Sequence, residues 1–384
     1  MASVRAADRA RIENIEANIV LLKRSIRGLR ARKKKTQKQL NSYTYPVLTL
    51  PAEIVSEIFL HCIPVYPRCP SRTGRGSPLL LAQICSEWRE VALATPALWR
   101  AISLDGCSES ENYTNFLESW LSRSGGLLLS IKMDDIYNCA LTSADVEAIL
   151  PHRARWEHVS LSITPDDFLT IDGLMPQLRH FEIQVQNNDF RTAAFRNVPR
   201  LYAATLWDFT YPTELLPWAQ LTSLTLVAKT PRDIRPILKQ TPHLVHCQLA
   251  VQFDFDEDPP ITNLLHLESL ILMQHWVGDD PPVGYLDGFA LPALRRLQIP
   301  DNFLRPDPVK VLASFISRSG CTLHEVLITG EITIPMRSYR LSFPNIPKFL
   351  FDRVLVDYMA WEVTVAEPDY HSSKNWSDVD SESE

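Results

Sequence analysis

A short apolar phrase recurs ten times between residues 99 and 328, and it limits the possible folds more than any other feature of the sequence. Each copy has apolar residues at its first, fourth and sixth positions, and successive copies begin 20 to 29 residues apart. The fourth and sixth positions share one face of a β-strand, because side chains alternate along a strand. Helical patterns begin between copies at Thr142, Thr230 and Pro308. Strand–loop–helix units of this length predict an α/β fold with a curved parallel sheet and helices on its outer side. The copies begin at Trp99, Leu128, Trp156, Leu178, Leu201, Leu221, Leu244, Leu267, Leu294 and Leu323.

The phrase resembles the L-x-x-L-x-L strand of leucine-rich repeats in both spacing and period. Residues 120–125 (WLSRSG) and 315–320 (FISRSG) also indicate internal duplication. The asparagine or cysteine that usually follows the third leucine is mostly missing, so we expect an irregular, leucine-rich-repeat-like solenoid over residues 105–366, with a C-terminal cap after Ile334. A plain alternating α/β domain is the alternative.

The outward positions of these strands are candidates for binding a protein target, because alternate strand residues would line the concave face of a solenoid. Their charges are mixed, which suits a protein surface better than a phosphate-binding one. These candidates are Glu157, His158, Ser160, Arg179, His180, Glu182, Thr222, Ser223, Thr225, Val245, His246, Gln248, Glu268, Ser269, Ile271, Arg295, Arg296 and Gln298.

The N-terminal segment combines an apolar heptad pattern with a strong positive charge. Ile12, Ile15, Ile19, Leu22, Ile26 and Leu29 follow a 3-4-3-4-3 spacing, which predicts an amphipathic helix over residues 8–40 and a short coiled coil that self-associates or holds a partner. The alternatives are a helix that packs on the rest of the chain and a frayed arm, because short isolated helices are only marginally stable.

Residues 1–41 carry a net charge of +9, whereas the whole chain carries −6, so a basic arm precedes an acidic body. The acidic body argues against nucleic-acid binding through a broad basic face. The basic run 30–35 leaves open a nuclear-import signal or nucleic-acid binding by the arm alone.

Residues 42–104 contain three ordered motifs on short predicted helices. They are LPAEIVSEIF at 50–59, ICSEWREVA at 84–92 and TPALW at 95–99. Together they resemble the F-box, whose pattern is Leu-Pro-x-Glu-Ile, then Val/Ile-Cys-x-x-Trp, then Pro-x-Leu-Trp. The whole layout resembles F-box proteins of mushroom-forming (basidiomycete) fungi. The Pro/Gly/Arg-rich loop at 64–77 is longer than the usual F-box connection.

The resemblance implies that this segment docks on the Skp-type adaptor of a cullin-RING ubiquitin ligase, while the repeats recruit an unknown protein target for ubiquitin-dependent degradation. An interaction scaffold outside any ligase, dimerising through the N-terminal helix, is the alternative function. The motif residues could also form only an internal three-helix core. By resemblance, the adaptor-binding residues are Leu50, Pro51, Ile54, Ile58, Leu80, Ile84, Trp88, Leu98 and Trp99.

The sequence predicts neither an enzyme nor a membrane protein. It contains no P-loop, no G-x-S-x-G elbow and no paired C-x-x-C motif, so we expect no catalytic residues, cofactor or metal. The acidic cluster at 254–258 lacks the spacing of a calcium loop and is expected to be a surface loop. Without a signal peptide or a long apolar run, and with seven cysteines expected to be free, the chain is expected in the cytoplasm, the nucleus or both. The Ser- and acid-rich segment 367–384 is expected to be disordered.

Overall fold

The computed structural model describes residues 2–41, 46–104, 111–133, 141–171, 173–185, 195, 197–207, 215–253, 262–274 and 281–352. The helices are α1 (Ala2–Asn41), α2 (Ala52–Cys62), α3 (Pro78–Ile84), α4 (Ser86–Leu93), α5 (Glu111–Arg123), α6 (Ser143–Ile149), α7 (Pro165–Ile171), α8 (Pro231–Leu238), α9 (Pro308–Ser319) and α10 (Met336–Ser342). The strands are β1 (Ala101–Leu104), β2 (Leu129–Met133), β3 (Trp156–Ile163), β4 (His180–Val185), β5 (Ala203–Trp207), β6 (Ser223–Lys229), β7 (His246–Val251), β8 (Thr262–Asn263), β9 (Ser269–Gln274), β10 (Phe289–Ala290), β11 (Arg296–Pro300), β12 (Glu325–Thr329) and β13 (Lys348–Asp352). Short 3-10 helices span Pro46–Thr49, Pro96–Leu98, Leu150–Arg155, Trp218–Gln220, Tyr285–Gly288 and Asp301–Leu304. The predicted acidic loop at 254–258, the 367–384 tail and the cap beyond residue 352 lie outside the described residues.

A single large sheet organises the body. In the part of the chain that the structure describes, eleven strands pair side by side in the order β1, β2, β3, β4, β5, β6, β7, β9, β11, β12, β13, and every neighbouring pair is parallel. Strands β8 and β10 form a separate parallel pair. Each of the ten repeated phrases contributes one strand of the large sheet. The predicted α/β class and the parallel sheet are confirmed.

The fourth residue of each phrase occupies the same row across the sheet. This row runs through the buried residues Ile102, Ile131, Val159, Phe181, Ala204, Leu224, Cys247, Leu270, Leu297, Val326 and Phe349. All of them belong to one continuous apolar core. Burial raises the pKa of the Cys247 thiol, so this residue stays protonated and packs as a small apolar side chain. The repeat period therefore reflects one core position filled once per strand.

Polar caps begin the helices that the sequence places between strands. Thr142 Oγ1 accepts a hydrogen bond from Asp145 N at 3.2 Å and precedes α6. Thr230 caps α8 in the same way, and Asp307 Oδ1 accepts from Lys310 N at 3.2 Å before α9. These contacts satisfy amide groups that the first helical turn leaves free. The three helix starts confirm the predicted ones.

Helix α1 is confirmed as a long N-terminal helix, and the exposure of its side chains tests whether it packs on the rest of the chain. Every residue from 10 to 40 is exposed, including all six members of the heptad stripe. The structure therefore differs from the alternative in which this helix packs its apolar stripe on the rest of the chain. Within the described residues, no helix has both the length and the apolarity to span a membrane.

Candidate protein-docking surfaces

Pro51 immediately precedes helix α2 and caps its first turn through its backbone. Pro51 has φ −55° and ψ 147°, and its carbonyl oxygen accepts from the amides of Ile54 and Val55, both at 3.1 Å. A proline suits this position because it has no N–H to satisfy. Glu53 lies in the first turn, where its negative charge interacts favourably with the positive end of the helix dipole.

Apolar side chains cover two adjoining faces of α2. Val55 and Phe59, one turn apart, are buried at 4% and 0% exposure. Ile54 and Ile58, also one turn apart, are 50% and 41% exposed. The helix therefore uses one apolar face in the core and presents the other to solvent.

Helix α3 repeats this division. Ser77 Oγ caps the helix by accepting from Leu79 N at 3.2 Å. Leu81 is buried, whereas Leu80 and Ile84 are 41% and 57% exposed. The spacing of Leu80 and Ile84 puts them on one helix face, so α3 adds a second exposed apolar pair.

The two motif tryptophans have different environments. Trp88 on α4 is half-buried and meets the ring of Phe59 edge-on, with centroids 5.0 Å apart. Trp99 is fully buried, donates from Nε1 to the Ala92 carbonyl at 2.8 Å, and packs edge-on against Trp120 of α5 at 4.9 Å. Trp99 therefore joins the short helices to the body of the protein.

The nine predicted docking residues thus fall into three groups. Leu98 and Trp99 lie in the core, and Trp88 lies at its boundary. The six exposed residues are Leu50, Pro51, Ile54, Ile58, Leu80 and Ile84. We call these six side chains the exposed apolar set. Leu93, at the end of α4, is also 41% exposed, but it is not part of the three sequence motifs and was therefore not predicted as a docking residue.

The long loop at 64–77 packs on the start of the sheet. Tyr66 donates its hydroxyl to Glu157 Oε2 at 2.7 Å, and the Arg100 guanidinium lies 3.4 Å from the centroid of the Tyr66 ring. Arg179 Nε approaches Glu157 Oε1 at 3.3 Å. Burial and the Glu157 hydrogen bond raise the pKa of Tyr66 well above its usual range, so its hydroxyl remains a donor.

Two further contacts hold the same loop. Ser130 of β2 donates its hydroxyl to the Pro67 carbonyl at 2.6 Å. Arg72 lies over the ring of Tyr113 on α5, 5.3 Å from its centroid. The loop therefore connects the short helices to both the sheet and α5.

The sheet face opposite the core divides into a buried half and an accessible half. On β1–β5 the alternate residues are mostly buried. Six of the eighteen predicted target-binding residues are buried: Glu157, His158 and Ser160 on β3, His180 and Glu182 on β4, and Thr225 on β6. The other twelve are half or fully exposed, most of them on or beside β6, β7, β9 and β11. On β6, β7 and β9 the outward residues Val227, Ala250 and Met273 are buried with Trp207 in a small apolar cluster. We call the half-buried and exposed outward residues of β6, β7, β9, β11, β12 and β13 the open face. Solvent reaches these side chains, whereas it is excluded from most outward residues of β1–β5.

The buried half of this face holds a polar cluster. Trp207 Nε1 donates to Glu182 Oε1 at 2.9 Å, and the rings of His158 and His180 are 6.4 Å apart. Burial, together with the neighbouring His158, lowers the pKa of His180 to about 3. Burial raises the pKa of Glu182. The fold therefore keeps His180 neutral at physiological pH.

The described part of the chain contains no group of three or more His, Cys, Asp or Glu side chains placed to hold a metal ion. The sequence matches no protein family model and is not detectably similar to any curated protein.

Proposed function

We propose that this protein is the substrate-recognition subunit of an SCF-type (Skp–cullin–F-box) ubiquitin ligase. The exposed apolar set carries the proposal, because it comes from the same helices whose sequence resembles the F-box. Buried neighbours such as Phe59 explain why these helices fold, whereas the aliphatic residues at helical spacing on their other faces leave 41% to 57% of their surface exposed. Exposed apolar surface of this kind typically marks a protein interface.

In this proposal α2 and α3 form the adaptor-docking surface. Ile54, Ile58, Leu80 and Ile84 contact the Skp-type adaptor, and through it the cullin. Leu98 and Trp99 support these helices from the core. Burying each half-exposed aliphatic side chain contributes on the order of 1 kcal/mol to docking.

We further propose that the sheet and its helices form the irregular, leucine-rich-repeat-like solenoid, whose open face recruits the protein target. Ile271 and Gln248 are half-buried there, and Arg296 is exposed beside them. Glu325 and Lys348 pair at 2.7 Å on the same face. This mixture of neutral polar, apolar and balanced charged groups suits a protein better than a polyanion.

The proposed mechanism is proximity and needs no catalytic residue in this chain. Holding a target on the open face while the adaptor binds α2 raises the effective concentration of target lysines near the conjugating enzyme. Specificity then depends on the open face, and assembly depends on the exposed apolar set.

Co-purification with a fungal Skp-type adaptor tests the proposal. The full chain is co-expressed with the adaptor, beside an Ile54→Asp/Ile58→Asp variant and a Leu341→Asp control. Leu341 is 70% exposed on α10, so the control adds a carboxylate at a site outside the proposed surface. We expect a one-to-one complex with the native chain and the control, and none with the double variant.

Two outcomes would contradict the adaptor role. One is a native chain that is folded by circular dichroism yet captures no adaptor at micromolar concentration. The other is equal loss of adaptor in the double variant and in the Leu341 control. The scaffold alternative, in which the chain holds partners outside a ligase, then becomes the favoured function.

A further inference from the structure

The apolar stripe of α1 is exposed along its whole length. Its six residues, spaced 3-4-3-4-3, are 43% to 62% exposed: Ile12, Ile15, Ile19, Leu22, Ile26 and Leu29. An isolated helix gains little stability from a stripe left in water, because most helical stability comes from packing an apolar face. None of the described residues buries this stripe, so it is available to pair with a second molecule.

The residue types along the stripe indicate what that occupant is. In heptad terms, Ile12, Ile19 and Ile26 stand at the a positions, and the d positions end in Leu22 and Leu29. β-Branched residues at a with leucine at d favour two parallel strands.

A membrane surface fits the stripe less well. Membrane-surface helices usually have a broad apolar face with aromatic residues. Helix α1 contains no Phe, Tyr or Trp, and its regular stripe is the narrow seam of a coiled coil. Val20 and Leu21 stand at b and c, on the outer side of the helix away from the seam.

We propose that α1 pairs with α1 of a second copy of this chain as a parallel, in-register, two-stranded coiled coil over residues 12–29. Lys33 occupies the next a position, so the apolar seam ends after Leu29. The pairing is independent of adaptor docking, because its residues belong to a different helix from the exposed apolar set.

Charge complementarity supports the parallel orientation. Residue 11 is a g position and residue 16 the following e position, so Arg11 of each copy faces Glu16 of the other in the parallel pair. An antiparallel pair with the same seam sets Arg11 beside Arg32 and Arg9 beside Arg30. Those two like-charge contacts outweigh the single favourable contact of Glu16 with Lys23 that this arrangement gains.

Sedimentation equilibrium of the full chain tests dimer formation with two adjacent substitutions. Ile19→Asp places a carboxylate in the seam, and Val20→Asp places one on the outer side of the same helical turn. Val20 is 65% exposed and Ile19 43%, so both changes begin from exposed β-branched side chains. We expect a dimer for the native chain and for Val20→Asp. Ile19→Asp should weaken it on the order of a hundredfold, because each dimer loses two seam isoleucines.

Charge exchange tests the orientation. In the parallel pair, Arg11→Glu alone and Glu16→Arg alone each create like-charge contacts and should weaken the dimer roughly threefold, and the double exchange should restore it. In the antiparallel pair, Arg11→Glu would relieve its contact with Arg32 and tighten the dimer.

Three results would overturn the inference: a native chain that stays monomeric at tens of micromolar, equal loss of dimer in Ile19→Asp and Val20→Asp, or a tighter dimer from Arg11→Glu. Adaptor co-purification by Ile19→Asp is expected to match that of the native chain. Failure of the coiled coil is thus distinguishable from failure of the adaptor role.

Discussion

Two adjacent residues of α2 should differ greatly in how much their truncation destabilises the protein. Phe59 is fully buried and meets Trp88 edge-on at 5.0 Å, whereas Ile58 is 41% exposed. Phe59→Ala should cost about 3–5 kcal/mol, since it removes a buried ring and leaves a cavity. Ile58→Ala should change stability by no more than about 1 kcal/mol, because much of its side chain is already in water.

Hydrogen exchange followed by mass spectrometry measures this difference in the helices themselves. One decade in exchange rate corresponds to about 1.4 kcal/mol, so Phe59→Ala should speed exchange in α2 and α4 by roughly a hundredfold to a few thousandfold. Ile58→Ala should speed it less than about tenfold. Both replacements introduce alanine into the same helix, so the change in helix propensity contributes almost equally to the two variants and nearly cancels in their comparison.

The result that would refute this reasoning is similar acceleration in the two variants. It would mean that Ile58 is held in a packed environment, and that α2 has no free apolar face for an adaptor. Slow exchange in Phe59→Ala would equally contradict the assignment of Phe59 to the core.

Two further predictions concern titrating groups. Tyr66→Phe should destabilise the 64–77 loop by about 1–3 kcal/mol, because it removes the hydroxyl that donates to Glu157 Oε2. Since the native pKa of Tyr66 is raised, the contribution of this hydroxyl is present below pH 10 and lost above it. Urea titrations at several pH values should therefore show a weaker alkaline loss of stability in the variant. His180 has a pKa lowered from 6.5 to about 3, so the stability that its neutral form contributes is present above pH 6.5 and lost as the pH falls towards 3. His180→Gln should reduce this acid loss of stability, which Glu182 with its raised pKa partly offsets in the native protein. An unchanged dependence of stability on acid pH would contradict the burial of His180.

The strands were predictable because each must fill the same core row. A strand that buries one face repeats apolar residues at period two, and the parallel order brings equivalent positions into register. Ile346, Phe349 and Phe351 fit the same spacing, and the last two lie in β13, a strand that the count of ten phrases omits. The apolar spacing of the eleventh strand was present in the sequence, but the repeats become irregular before it, so the strand was not predicted.

The exposed and buried members of the motifs were not predictable from spacing. Ile54 and Val55 are adjacent, both are β-branched and apolar, and only the packing of α2 against α4 makes one exposed and the other buried. The contact between Tyr66 and Glu157 joins residues 91 positions apart, and no local pattern announces it. The periodicity of the sequence identifies which face of a helix or strand is apolar, whereas long-range packing decides which of these faces become buried against each other.

The two attachments of the short helices to the body bear on the proposed function. Trp99 packs against Trp120 of α5, and Tyr66 bonds Glu157 of β3, so the helices are held at two separate places. A rotation of the helices relative to the sheet would have to break both contacts. An adaptor on α2 and a target on the open face would therefore keep a fixed separation, and proximity is effective only when the geometry allows both to be engaged at once.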